Sequence, residues 1–148
     1  MKFKTLTLIA LTLLSLPTFA DWKIEKNDLK TFEKFAKTDE VELYTGDTIL
    51  HDFENTPSQG HKFVLVKITA SNQDTTTPPL NSLEFKLKVN DKIYSRIKDD
   101  KFLLDYNIKP FTRLKIKKGI HNGHLLFEVP TTELSNSATL FYNENPIQ

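Results

Sequence analysis

Four histidines, His51, His61, His121 and His124, are the side chains of this sequence best suited to chemistry near neutral pH. His121-Asn122-Gly123-His124 sets two imidazoles at i and i+3 around a glycine, so both could reach one metal ion if the chain turns there. His61 also follows a glycine and opens an apolar run, and it could join them if its strand lies beside theirs. Such a site needs three or four converging ligands with supporting partners, and the plainer reading is a polar turn entering a strand. With no cysteine and Met1 as the single methionine, the soft sulfur ligands of a copper(I) carrier are lacking after residue 1.

Catalytic constellations are hard to assemble from the residue order. The chain holds no G-x-S-x-G elbow and no H-E-x-x-H motif, and four glycines leave little room for a phosphate-cradling loop. His51-Asp52-Phe53-Glu54 sets a base beside carboxylates, but neighbours on an extended segment point to opposite faces. Asp99, Asp100 and Asp105 gather acid near Lys98 and Lys101 without the spacing of a calcium loop, which reads as a solvated loop. Cysteine is absent, which removes thiol catalysis, cysteine-based zinc sites and disulfide staples.

Cations form a second candidate constellation. In Arg113-Leu114-Lys115-Ile116-Lys117 the alternation puts Arg113, Lys115 and Lys117 on one face of a strand, and Lys86 and Lys88 could extend that face from a neighbour. A basic strand face suits docking to an acidic protein or an anionic envelope polymer. The competing reading is protection, since lysines on an exposed strand discourage sheet-to-sheet aggregation.

These side chains depend on elements that the apolar pattern outlines. Leu83, Phe85, Leu87 and Val89 alternate with polar residues, and Asn90-Asp91-Lys92 supplies a turn into Ile93 to Ile97, which predicts a hairpin over 83–97. Phe63 to Ala70 is apolar on nearly both parities, the mark of a central strand. Residues 71–81, rich in Thr with Pro78-Pro79, suit a long crossover. Strands are also predicted at Val41 to Tyr44, Thr48 to Leu50, Thr112 to Lys117, His124 to Val129 and Ala138 to Tyr142, with Gly119 and Gly123 in the turn between the third and fourth of these. Asp28 could cap a short helix whose Leu29, Phe32, Phe35 and Ala36 share a face. A short helical turn is expected near Asp99 to Tyr106, and most of the sixteen aromatics, Trp22 included, are expected to pack inside.

The amino end reads as an address. Lys2 and Lys4, an apolar stretch from Leu6 to Leu16, and Thr18-Phe19-Ala20 have the order of a secretory signal peptide over residues 1–20, too short to span a bilayer. Cleavage after Ala20 would leave a chain from Asp21 with 18 basic and 19 acidic residues, a net charge of −1. So balanced a chain has no field to gather nucleic acid, and no later run is long and apolar enough for a transmembrane anchor. The expected location is periplasmic or secreted, and residues 21–148 are the right length for one self-sufficient domain.

Gly60-His61-Lys62-Phe63-Val64-Leu65-Val66 running to Asn72, followed by Gly123-His124-Leu125-Leu126-Phe127-Glu128-Val129-Pro130, resembles a family of exported immunoglobulin-like domains related to the immunoprotective extracellular antigens. The likeness covers roughly residues 40–142, and Ile116 to Ile120 lacks the proline usual before the late strand. The predicted strands already point to an all-β sandwich of about seven strands with the short amino-terminal helix packed on it, and the resemblance implies that this sandwich is immunoglobulin-like and binds something outside the cytoplasm. No catalytic residues and no cofactor transfer with it. The expectation is therefore a non-catalytic binding module of the bacterial envelope, of inhibitor or immunity type. Its partner would be an envelope or extracellular protein, and the alternative is a small-molecule or metal carrier using His61, His121 and His124.

Overall fold

A computed structural model describes residues 22–72, 78–111, 119–133 and 137–148. The predicted signal peptide lies outside the described residues, as does the expected strand at Thr112 to Lys117. The described chain is all-β and antiparallel, with nine strands in three sheets. None of its helices is long and apolar enough to cross a membrane.

The first sheet joins β1 (Lys23–Phe32), β4 (His61–Asn72) and β7 (Gly119–Pro130) in the order β1-β4-β7. The second joins β5 (Phe85–Val89), β6 (Lys92–Ser95), β8 (Thr139–Tyr142) and β9 (Asn145–Ile147) in the order β6-β5-β8-β9. One apolar cluster fills the space between them. Val64, Val66, Ile68 and Ala70 of β4 and Leu125, Phe127 and Val129 of β7 meet Phe85, Leu87 and Val89 of β5 and Leu140 of β8. Burying such side chains stabilises the fold by roughly 1.5–3 kcal/mol each. Trp22 closes one end of this core, with its indole N–H donating to the Pro78 carbonyl at 2.9 Å.

Residues 28–36 are not the expected helix. They form the second half of β1, a two-residue turn and the start of β2 (Phe35–Glu42). The pairing register with β4 slips between Lys26 and Asp28, and this bulge inverts the parity of the strand. Ile24 and Leu29 consequently reach the central core, while Phe32 faces the other side of the sheet. An alternation broken by one bulge mimics helical spacing over ten residues, and pairing to β4 satisfies a backbone that an isolated short helix would leave marginal. The count of about seven strands rises to nine because this segment and the carboxyl end add strands.

Gly123 does not sit in a turn but inside β7, opposite Ile68. A Cβ there would stand 2.9 Å from Cβ and 3.0 Å from Cα of Phe111, so only glycine lets the segment through Phe111 lie against the strand. That segment is tied in by the Phe111 N–H donating to the His124 carbonyl at 2.8 Å and the His124 N–H donating to Lys109 at 2.9 Å.

Tyr142 lines the core with its hydroxyl accepting from the Asn81 N–H at 3.2 Å. Burial raises its pKa above the ordinary tyrosine value, because the phenolate loses solvation there. A raised pKa favours the protonated native form, so this stability is fully present below about pH 10 and is lost as pH rises through the native value. Tyr142→Phe is expected to shift the alkaline unfolding limb to higher pH, checked by thermal melts between neutral pH and about pH 11.

Candidate functional site

The feature that departs from a packed body is the ribbon of β2 and β3 (Thr48–Asn55), a two-stranded sheet of its own. Its strands pair in unbroken register from Phe35 opposite Asn55 to Glu42 opposite Thr48, and the turn beyond them closes with the Leu43 N–H donating to the Asp47 carbonyl at 2.8 Å. Gly46, at φ 85°, takes the left-handed position that this turn requires. Past Phe35 no residue of either strand is fully buried. Val41, Leu43, Ile49 and Leu50 are exposed, Leu50 by 69%, and Tyr44 stands wholly in solvent. Apolar residues clustered on an element that leaves the body mark an interaction surface more often than a packing surface.

The root of this arm is held firmly. Phe35 is buried in a second cluster with Phe63, Leu65, Leu103 and Leu126 on the outer side of the β1-β4-β7 sheet. Its ring lies 4.7 Å from Phe32, 5.4 Å from both Phe63 and Tyr106, and 5.8 Å from Phe102. The Tyr106 hydroxyl donates to the Phe35 carbonyl at 3.0 Å and accepts from the Asn55 amide at 3.1 Å, which clamps the first paired residues of the two strands together. Phe102 and Tyr106 belong to the short 3-10 helix Lys101–Tyr106, close to where a helical turn was predicted.

That helix is pinned by an ion pair the sequence reading did not find. Arg96 and Asp100 are both buried and bond to each other, and Arg96 also donates to the carbonyls of Phe111 and Ser82. Asp100 is therefore not part of a solvated loop, although Asp99 and Asp105 are exposed. The available signal was partial: Arg96 continues the alternating strand at the parity of the half-buried Tyr94, which aims its side chain inward. Charge so placed persists only when paired.

The three histidines of the metal reading are not brought together. β4 and β7 do run side by side, but antiparallel, with His61 opposite Pro130 and His124 opposite Lys67. Six residues of strand separate the two positions, roughly 20 Å. His121 and His124 stand at odd spacing along one strand and so face opposite sides. His121 lies 6.3 Å from the Trp22 ring, and His124 Nδ1 lies 3.0 Å from the Lys109 carbonyl. Among the described residues no three His, Asp or Glu side chains gather as a metal site.

His124 instead borders a shallow cleft of about 240 Å³ beside the aromatic cluster, where Lys67 sits between Asp28 of β1 and His124 of β7. Asp28 and His124 are two strand spacings apart, about 10 Å, and each bonds elsewhere, so they form no acid-base pair. Of the basic face, Lys86 and Lys88 do point away from the core on β5, and Lys86 donates to the Ser95 hydroxyl at 3.0 Å. Arg113, Lys115 and Lys117 lie outside the described residues.

No family model matches the chain, and no curated protein matches it. Among solved structures it is similar to the 2.2 Å crystal structure of a conserved hypothetical protein from Bacillus anthracis, with 13% identity over 86% of this chain and 98% of that one. The TM-score is 0.44, too low to carry an assignment of fold or activity.

Proposed function

We propose that this chain is a non-catalytic binding module acting outside the cytoplasm, in the cell envelope or beyond it, and that it grips another protein with the β2–β3 arm. The observation that carries the reading is the arm itself: a ribbon with exposed Leu43, Tyr44 and Leu50, rooted through Phe35 in a rigid aromatic cluster. Holding apolar anchors in one direction before contact lowers the ordering cost of association. The two sheets facing across one core also support reading the body as an immunoglobulin-like sandwich, as the family resemblance implies. An inhibitor or immunity-type role fits this design, since a projecting ribbon suits insertion into a partner's cleft. The carrier alternative loses ground because its three histidines are spread over two faces and two ends of the sheet.

The test is a triple variant, Leu43→Ser with Tyr44→Ser and Leu50→Ser, compared with the wild type for saturable binding of a purified envelope partner. Losing the central anchors is expected to weaken binding by at least about 30-fold, as hot-spot truncations do, while the melting temperature changes little. Equal affinity in the two proteins would remove the arm from the contact.

A further inference from the structure

We infer that the partner presents a basic protein surface, recognised by the side of the arm that carries Glu40, Glu42 and Asp52; this rests on the reading of the arm as the contact element. Residues 35–55 hold six carboxylates, Asp39, Glu40, Glu42, Asp47, Asp52 and Glu54, against Lys37 alone, a net charge of −5 with His51 neutral. The pairing register sorts these charges, because residues directly opposite in an antiparallel ribbon share a face.

One face holds Lys37 opposite Phe53, Asp39 opposite His51 and Val41 opposite Ile49. Its charges are matched internally: the Lys37 ammonium pairs with Asp39 and lies 4.8 Å above the Phe53 ring. The other face holds Ala36 opposite Glu54, Thr38 opposite Asp52, Glu40 opposite Leu50 and Glu42 opposite Thr48. It contains no lysine, arginine or histidine. Glu54, nearest the root, is answered by Lys34 at 2.9 Å. Glu40, Glu42 and Asp52 have no ion-pair partner among the described residues, and they surround the exposed side chain of Leu50.

Glu40 and Glu42 stand on one side of one strand, about 7 Å apart. No cation among the described residues pairs with either, and like charges placed so weaken a ribbon. A carboxylate cluster around an exposed leucine is the complement of a cationic surface with an apolar depression. Such complementarity speeds encounter and rejects acidic competitors, and salt weakens it.

The probe is a labelled helical peptide with a leucine stripe flanked by lysines, and its counterpart with glutamates in place of the lysines, each titrated into the protein by fluorescence anisotropy. The lysine peptide is expected to bind the wild type at least about tenfold more tightly than the glutamate peptide, with the difference shrinking at about 0.3 M salt. Glu40→Gln combined with Glu42→Gln is expected to lose about tenfold in lysine-peptide affinity while melting at the same or a higher temperature, as relief of repulsion requires. Equal binding of the two peptides, or unchanged binding by this charge variant, would overturn the inference. If the charge variant still binds while the Leu43, Tyr44 and Leu50 variant does not, the arm stands and the basic partner falls; if both still bind, both readings fall. A salt-sensitive dimer, seen by ultracentrifugation and lost in the charge variant, would make the occupant a second copy and also overturn it.

Discussion

Arg96→Met is expected to lower the stability of the protein by about 3–5 kcal/mol, read as a fall in the denaturant midpoint with an unchanged slope. The reason is what stays behind. Asp100 keeps a carboxylate in a fully buried position with its partner gone, and the carbonyls of Phe111 and Ser82 lose a donor. The pair is also a fastener, because Asp100 opens the 3-10 helix that carries Phe102 and Tyr106 to the arm root. Replacing both partners, Arg96→Met with Asp100→Leu, is expected to recover much of the loss, since an apolar pair of similar volume leaves no stranded charge. A cost under about 1 kcal/mol for Arg96→Met would show that water reaches the pair, as exposed ion pairs behave.

Phe35→Ala carries the second large effect, also about 3–5 kcal/mol, because it empties the centre of the aromatic cluster that joins arm and body. Its signature differs from that of a core mutation elsewhere. The arm touches the body chiefly at this root, so its amides are expected to exchange faster than those of β4 and β7, and partner affinity is expected to fall through lost preorganisation. Hydrogen exchange on the arm together with denaturant unfolding separates the two consequences. Uniform exchange loss across all three sheets would mean that the root does not set the direction of the arm.

Much of the body was legible because local alternation carries it. Phe63 to Ala70 reads as a central strand from its two apolar parities, and β4 is indeed flanked by β1 and β7. The hairpin predicted over 83–97 appears as β5 and β6 with Asn90 at φ 53° in the turn. The arm strands were legible only in part, at Val41 to Tyr44 and Thr48 to Leu50 around Gly46-Asp47: Leu43 and Tyr44 belong to the turn, the strands run on to Phe35 and Asn55, and only the register shows which carboxylates share a face with Leu50. Arg96 and Asp100 were hidden for a related reason, since burial of a charge depends on distant carbonyls at Ser82 and Phe111.

By itself the sequence determined the period-two strands and their turns, the absence of cysteine chemistry, and the near balance of charge, all of which depend on neighbours within a few residues. Only the tertiary structure decided that residues 28–36 are strand, that His61 and His124 sit far apart along one pair of strands, and that the Tyr106 hydroxyl locks the root of an acidic arm. Parity through a bulge, antiparallel register and the partner of a buried polar group are set by the strand or carbonyl across the contact, and no short window of residues contains it.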